Sequence, residues 1–404
     1  MPLRPLLSSL TRHKLTVLLL VLQVSLTCAI VCNVVFMIVN RTAQMRQPSG
    51  LAEDELVMIE STGLDENENP STRHTADLAA LRTIPGVTAV AAVDALPFNN
   101  NDWSNGIATA PNAHSQLIAT AYNGTPGELA TLGLHLVEGR DFLPDEYIPL
   151  DSAHDGAGID HVPATIITRA VAERLFPGQS ALGKTIYPGD GPVRIVGVVD
   201  HLLRPLLHDA GSNEYSTLFP MLPDTGDVIY VLRTAPPQRE RVLKQAADVL
   251  NQLDDNRILR KPQTFVQLRI DFFRRHRTML GLLLAAATGL LFVTALGIAG
   301  LASFWVQQRR RSIGIRRAIG ATRSNILHYF QAENFLIVSA GIVPGMLLAY
   351  ALNQLLLTHY ELARLPLLYL PISAASLWLL GQLAVLGPAL RAAAVPPAMA
   401  TRAD

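Results

Sequence analysis

The sequence predicts a membrane protein of the α-helical class, with four membrane-spanning helices and one α+β domain outside the membrane. Four long runs of residues carry no charged side chain: 15–39, 278–306, 335–357 and 371–390. The composition agrees with this class, because 49% of the residues are hydrophobic and only 16% are charged. Between the first two runs, the apolar residues recur with the periods of strands and of amphipathic helices.

The first run, 15–39, is long enough to cross a membrane as a helix. At 1.5 Å per residue it reaches roughly 37 Å, against a hydrocarbon core of ~30 Å. A cleaved signal peptide is the alternative, but the run is too long and lacks an A-x-A site, so we expect an uncleaved anchor. Cys28 and Cys32 are the only cysteines, and we expect them to face lipid or a neighbouring helix rather than a metal.

The basic residues near the ends of the runs predict the orientation of the chain. Arginines cluster at 309–311, 316, 317 and 323, and this side is therefore expected to be cytoplasmic. The exception is a basic group at 274–277, which a long translocated domain tolerates. The predicted segments are a cytoplasmic N-terminus (1–14), spans 15–39, 278–306, 331–357 and 371–390, an outside domain (40–277), a cytoplasmic segment (307–330), an outside loop (358–370) and a cytoplasmic C-terminus (391–404).

Small residues recur at helical spacing in two of the runs. Gly281, Ala285 and Gly289 lie four residues apart in the second run, and Gly341 and Gly345 lie in the stretch "GIVPG" of the third. Such spacing lets helix backbones approach closely in lipid, so we expect these residues to form helix-packing faces. The alternative is that glycine is simply frequent in membrane helices.

The outside domain contains two stretches with a strand–helix–strand pattern. The first runs from "LVMIE" to "VTAVAAV", and the second runs from "DVIYVLR" to "ILRKPQTFVQL". Each β-α-β unit is predicted to form a two-layer sandwich, and the two units pack as one domain. A strand-rich section, residues 122–219 approximately, is predicted to be inserted between them.

No residue pattern in the outside domain indicates catalysis. Asp141, Asp145 and Glu146 could in principle serve acid–base chemistry or bind calcium, but their spacing favours an exposed turn. His154 and His161 flank a glycine-rich stretch that we interpret as a solvated loop rather than a metal site. Neither G-x-S-x-G nor H-E-x-x-H occurs, so we expect no catalytic residue, no metal and no directly bound cofactor.

The stretch "GQSALGKT", residues 178–185, matches the phosphate-binding pattern G-x-x-x-x-G-K-[ST]. That pattern binds phosphate only where a strand enters the loop and a helix leaves it. Here the preceding "AVAERLF" is typical of a helix, and a strand–turn–strand pattern follows. We therefore predict a structural turn rather than a nucleotide site.

The cytoplasmic segment "QQRRRSIGIRRAIGATRSNILHYFQAE" carries the strongest functional signal. Ile315, Ala318 and Ile319 are predicted to share one face of a short helix, and Arg316 and Arg317 lie off that face. A short helix of this kind is suited to docking into a groove on another protein. The alternative is an amphipathic helix that lies on anionic lipid, and the residues alone do not choose between the two.

The stretch "RRRSIGIRRAIGATRSNILHYFQAENFLI" closely resembles the signature of FtsX-like permeases of ABC transporters. The stretches "LGLHLVEGRDF" and "PATIITRAVAERLFPGQSALGKTI…VRIVGVVDHL" resemble the MacB-type periplasmic core domain, and "GPALRAAAVPPAMATR" resembles the end of that family. The order of one span, a large outside domain and three spans is also that of the MacB type. The resemblance covers nearly the whole chain.

The resemblance implies a non-enzymatic permease subunit in a bacterial inner membrane, which transmits motion from an ATPase to the periplasmic domain during export or efflux. The segment that meets the ATPase corresponds to Ser312, Ile313, Gly314, Ile315, Arg316, Arg317, Ala318, Ile319, Gly320 and Ala321. The family usually has an acidic residue where this chain has Ser312. Few residues precede the first span, so we expect the ATPase, which uses the ATP, to be a separate chain.

The same resemblance implies a second permease subunit, identical or related, alongside membrane lipid. It leaves open whether a periplasmic adaptor and an outer-membrane channel are attached, and it does not identify the exported molecule. A lipoprotein-release or hydrolase-activating permease is the alternative within the class, and a periplasmic sensor is the alternative outside it. We expect no nucleic-acid partner, because 33 basic and 33 acidic residues give a formal net charge of zero.

Overall fold

The computed structural model describes residues 14–65, 69–149, 161–189, 191–207, 213–360 and 366–394, and their side chains apart from 356–360. The chain divides into two compact units. One unit holds the first helix and the chain from His276 onward, and the other is Gln47–Arg275.

The helices are α1 (Lys14–Arg46), α2 (Pro70–Arg82), α3 (Glu128–Leu132), α4 (Arg169–Leu175), α5 (Arg239–Leu253), α6 (Phe265–Phe272), α7 (Arg274–Gln308), α8 (Arg310–Ala318), α9 (Arg323–Tyr360) and α10 (Tyr369–Ala393). The strands are β1 (Leu56–Gly63), β2 (Val87–Val93), β3 (Ser104–Ile107), β4 (Leu117–Asn123), β5 (Leu136–Gly139), β6 (Ile148–Pro149), β7 (Ala164–Thr168), β8 (Thr185–Ile186), β9 (Val193–Val199), β10 (Ser216–Phe219), β11 (Met221–Leu222), β12 (Asp227–Thr234) and β13 (Arg257–Thr264).

The helical unit is built from α1, α7, α9 and α10, and all four helices are long and apolar enough to cross a membrane. The prediction of four spanning helices is therefore confirmed. All four contribute to one apolar core, for example through Leu20, Ile298, Ile337 and Val385. Polar side chains also link the helices, because Asn33 Nδ2 of α1 donates to a carbonyl oxygen of α9 at 3.1 Å.

The larger α/β unit contains a four-stranded antiparallel sheet with the order β13-β1-β12-β2. The two predicted β-α-β patterns are both present, and they interleave in this single sheet, so that β12 lies between β1 and β2. Helices α2 and α5 cover one face, where Leu81 and Ala246 join the same core as Ile59 and Tyr230. Because both helices cover the same sheet, the apolar faces of α2 and α5 and those of the two strand pairs are buried together.

A second sheet, with the order β3-β4-β10-β7-β9-β5 and β8 beside β9, occupies the chain between β2 and β12. It mixes parallel pairs, such as β7 with β9, and antiparallel pairs, such as β3 with β4. Helix α4 packs on it through Val171 and Leu175. This sheet is the strand-rich insertion expected from the sequence, and it also draws on β3, which begins at Ser104.

The two sheets are joined by a short backbone ladder. Residues 123–125 extend the end of β2, because the Thr125 N–H donates to the Ala92 carbonyl at 2.9 Å and the Asp94 N–H donates to the Asn123 carbonyl at 3.1 Å. The Thr125 hydroxyl in turn accepts from the Ala92 N–H at 2.9 Å. The position of the second sheet within the unit is therefore fixed by hydrogen bonds as well as by apolar packing.

Candidate functional site

The segment between α7 and α9 is the candidate functional site, and its backbone has a defined start and end. Helix α8 ends in a paired hydrogen-bond motif, in which the Gly320 N–H donates to the Arg317 carbonyl at 3.1 Å and the Ala321 N–H donates to the Arg316 carbonyl at 3.0 Å. Gly320 has a φ of +106°, which a side chain would strain. The Thr322 hydroxyl then accepts from the Asn325 N–H at 3.3 Å and caps α9.

Helix α8 has one buried side and one apolar exposed side. Ile313 is only 6% exposed and belongs to the core of the helical unit. By contrast, Ile315 is 45% exposed and Ile319 is 82% exposed. The helix is therefore anchored through Ile313, and Ile315 and Ile319 are left exposed by the residues that the structure describes.

Polar residues surround the exposed apolar pair. Arg316 is exposed, and its guanidinium lies 5.1 Å from the centre of the Tyr329 ring on α9. Ser312 and Ala318 are also exposed, whereas Gly314 is buried and Arg317 is partly buried. The surface around Ile315 and Ile319 is consequently apolar at its centre and basic at its edge.

An ion pair between a partly exposed arginine and a buried glutamate lies next to this segment. Arg309, the residue between α7 and α8, donates from Nη1 to both carboxylate oxygens of Glu333 on α9, at 3.1 and 3.0 Å. Its guanidinium also lies 6.0 Å from the centre of the Trp305 ring. The next residue of α9, Asn334, donates from Nδ2 to the Gly381 carbonyl of α10 at 2.9 Å. In the sequence, Glu333 lies two residues before the charge-free run 335–357, and no local pattern identifies its partner.

The glycines predicted to pack helices fall into two groups. A Cβ on Gly341 would lie 2.7 Å from Val24 Cβ, and a Cβ on Gly345 would lie 2.6 Å from Cys28 Cβ, so both glycines lie directly against α1. The other group, Gly281, Ala285 and Gly289 on α7, is exposed in the single chain. No atom lies within 4 Å of a Cβ built on Gly281 or Gly289.

The loop that matches a phosphate-binding pattern follows helix α4 and leads into strand β8, so no helix begins directly after it. Lys184 Nζ donates to Gln179 Oε1 at 2.6 Å and lies 4.3 Å from the centre of the Phe176 ring. Gly178 and Gly183 both have positive φ, as tight turns require. These contacts agree with a structural turn.

The acidic stretch after Gly139 also has a structural explanation. Arg140 Nη2 donates to Glu146 Oε1 at 2.5 Å, and the Leu143 N–H donates to the other oxygen of Glu146 at 2.8 Å. Arg140 lowers the pKa of Glu146 through this hydrogen bond. Of the two histidines considered as metal ligands, His161 is exposed and His154 lies outside the described residues. Within the described ranges, no group of three or more His, Cys, Asp or Glu residues could hold a metal ion.

Two carboxyl groups with raised pKa values lie at the joint between the sheets of the α/β unit. Glu128 is only 2% exposed, and its Oε1 has no hydrogen-bond partner among the described residues. Burial raises the pKa of Glu128 well above its usual value, and the nearby Asp94 raises that pKa further. Burial also raises the pKa of Asp94 to about 6, although Asn123 donates to both of its oxygens. These raised pKa values predict that the stability of the joint depends on pH.

The fold and the site define a membrane protein with four candidate spanning helices and a large α/β domain. A family model described as "MacB-like periplasmic core domain" matches residues 16–253, and a second, "FtsX-like permease C-terminal", matches residues 284–397. The first match covers more than half of the chain, so the chain belongs to the MacB-like family, as the sequence resemblance predicted.

Individual relatives agree with this assignment. The macrolide export ATP-binding/permease protein MacB of Campylobacter jejuni is 26% identical over an alignment of 377 residues that covers 86% of this chain and 53% of that protein. MacB of Bartonella henselae is 32% identical over an alignment of 244 residues that covers 56% of this chain and 34% of that protein. The chain thus spans between a third and about half of these relatives' length. The periplasmic region of MacB from Actinobacillus actinomycetemcomitans aligns with a TM-score of 0.33 and 14% identity, over 55% of this chain and 96% of that one.

Proposed function

We propose that this chain is the permease subunit of an ABC transporter, and that Ser312–Ala321 docks on a separate ATPase subunit. The observation that supports the proposal best is the exposure of Ile315 and Ile319 on a helix that is anchored by the buried Ile313. Amphipathic helices with spaced apolar anchors bind protein grooves in this way. The chain itself supplies no catalytic group, and the ATPase subunit binds and hydrolyses the ATP.

In this proposal, α8 lies on the cytoplasmic face of a bacterial inner membrane, with both termini on the same face and the α/β unit in the periplasm. The arginines of the α7–α9 segment support this orientation through the positive-inside rule. ATP binding closes the ATPases and displaces α8, and α1 and α7 carry the displacement outward. Helix α7 is suited to this task, because it is one helix of 35 residues, about 52 Å long.

A second permease subunit packs along α7 in the proposed assembly. The exposed small residues Gly281, Ala285 and Gly289 support this contact, because small side chains allow close approach of helices in lipid. The proposed outcome of the cycle is export of a substrate from the periplasm. Export is part of the names of two relatives, which are called macrolide export ATP-binding/permease proteins.

Copurification with the cognate ATPase tests the docking proposal. Replacing Ile315, Ile319 and Arg316 together by alanine should abolish copurification and leave membrane insertion unchanged, because Ile313 still anchors α8. Ile118→Ala provides a control, since Ile118 is an isoleucine in the α/β unit whose 58% exposure lies between the 45% of Ile315 and the 82% of Ile319. Retained copurification of the triple variant would reject the docking assignment and favour a helix that lies on lipid.

A further inference from the structure

The Arg309–Glu333 ion pair lies in an unusual place, where all four long helices meet. Glu333 is only 1% exposed, and it lines a small cavity together with Leu20 of α1, Trp305 of α7 and Val385 of α10. An ionised carboxylate in such surroundings loses its hydration, and it is stable only where a partner replaces the water. Arg309 is that partner, with Nη1 within 3.1 Å of both carboxylate oxygens.

The position of Arg309 in the chain links the ion pair to the orientation of α8. Arg309 is the N-terminal cap residue of α8, and its φ of −102° and ψ of 12° break the helical path between α7 and α8. At the other end of α8, Gly320 occupies a left-handed turn before α9 begins. The backbone therefore leaves the regular helical path at each end of α8, and the orientation of α8 depends on Ile313 and on the side-chain contacts at these ends.

The ion pair is the side-chain contact at the first of these ends. It connects the start of α8 to Glu333, which lies ten residues into α9, or about 15 Å along that helix. The side chain of Asn334 then connects the same level of α9 to α10. A force applied at Ile319 consequently reaches α7 and α9 at the same time, instead of rotating α8 about its ends.

We propose that the Arg309–Glu333 pair is a positioning clasp, which holds the start of α8 against α9 so that displacement of α8 by the ATPase moves the second and third spans together. The inference rests on the proposed docking of the ATPase at α8. It assigns no contact with ATP or substrate to either residue. The pair positions the coupling helix, and its loss separates ATPase binding from movement of the spans.

The first test measures the clasp in the full-length chain alone, in lipid nanodiscs. Spin labels are attached at the exposed positions 311 and 335, after Cys28 and Cys32 have been replaced by alanine, and the distribution of distances between the labels is measured. We expect Glu333→Gln to widen the distribution about twofold, because the amide retains the shape but not the charge. Arg310→Gln, which changes an exposed neighbouring arginine, should leave it unchanged.

The double variant Arg309→Gln/Glu333→Gln separates a shared interaction from two independent effects. If the residues act as one clasp, the double variant should widen the distribution no more than Glu333→Gln alone does. An unchanged distribution in Glu333→Gln, or widening in the double variant that equals the sum of the single effects, would overturn the proposal.

The second test adds the cognate ATPase and ATP to the same chain, with labels at positions 279 and 348 on α7 and α9. Glu333→Gln should bind the ATPase within about twofold of the unmodified chain, because Ile315 and Ile319 are untouched. Its ATP-dependent distance change should be lost. A full distance change in this variant would contradict the clasp. Failure of the unmodified chain to bind the ATPase would instead contradict the proposed function, and the first test would still decide the clasp.

Discussion

Gly345→Ala is expected to loosen the contact between the first and third spans. A Cβ at this position would lie 2.6 Å from Cys28 Cβ and 2.8 Å from the Ser25 carbonyl oxygen. Since ordinary contacts begin near 3.4 Å, α1 has to move away by roughly 0.8 Å. Part of the clash is with backbone, so no change of rotamer relieves it.

Two opposing effects determine how much Gly345→Ala changes the free energy of unfolding. Overpacking of a well-packed contact destabilises by about 1–3 kcal/mol. Alanine regains up to about 1 kcal/mol through its better helix propensity. We therefore expect Gly345→Ala to lower the free energy of unfolding by up to about 2 kcal/mol, whereas Gly387→Ala, with no atom within 4 Å of the added Cβ, should be neutral or slightly stabilising.

The assay is equilibrium unfolding of the full-length chain in mixed micelles, with both variants measured beside the unmodified protein. Cys28→Gly added to Gly345→Ala should not restore the lost stability, because the Ser25 carbonyl stays in place and the new glycine costs about 1 kcal/mol of helix propensity in α1. Equal unfolding free energies for Gly345→Ala and Gly387→Ala would show that α1 does not rest on this glycine, and the reasoning would be refuted.

Three further predictions concern orientation, pH and the phosphate-like loop. A cysteine at Ser180 should react with an impermeant maleimide in intact cells, whereas one at Arg311 should react only after permeabilisation; the opposite pattern would reverse the proposed orientation. Because burial raises the pKa values of Asp94 and Glu128 in the folded state, that state binds protons which the unfolded chain releases; the contribution of Asp94 to stability is therefore fully present below about pH 4 and is lost as the pH rises through about 6. Asp94 contributes at most about 3 kcal/mol to this change in the free energy of unfolding, from roughly two pKa units at ~1.36 kcal/mol each. A free energy of urea unfolding that does not change with pH would contradict the role of these buried carboxyl groups. Lys184→Ala should leave ATP-analogue binding by the purified chain unchanged, and loss of binding in this variant would reopen the nucleotide interpretation.

The elements of the fold were predictable from the sequence, but their arrangement was not. Apolar spacing predicted the helix that contains Leu81 and the strands on either side of it, because periodicity is a local property. The order of the four-stranded sheet depends on pairings such as Ile59 with Tyr230. Residues so distant in sequence leave no local pattern, so the interleaving of the two β-α-β units could not be derived.

The candidate site, like the fold, was predictable from the sequence only in part. The spacing of Ile315 and Ile319 predicted a shared apolar face, and both side chains are exposed. The burial of Ile313 was not predictable, because it depends on packing within the helical bundle. The charge of Glu333 beside an apolar run was visible in the sequence, and a carboxylate there needs a partner. Which of the many nearby arginines is that partner depends on the path of the chain at Arg309.

Site-specific photocrosslinking from position 319 measures the docking of α8 on an ATPase most directly. A photoreactive amino acid replaces Ile319 in the full-length chain, in cells that contain the cognate ATPase, and position 118 serves as the exposed control in the other unit. We expect illumination to give a covalent adduct with the ATPase subunit from position 319 and none from position 118. Adducts with lipid alone from position 319, in cells where the transporter is active, would contradict the assignment of this helix as the coupling site.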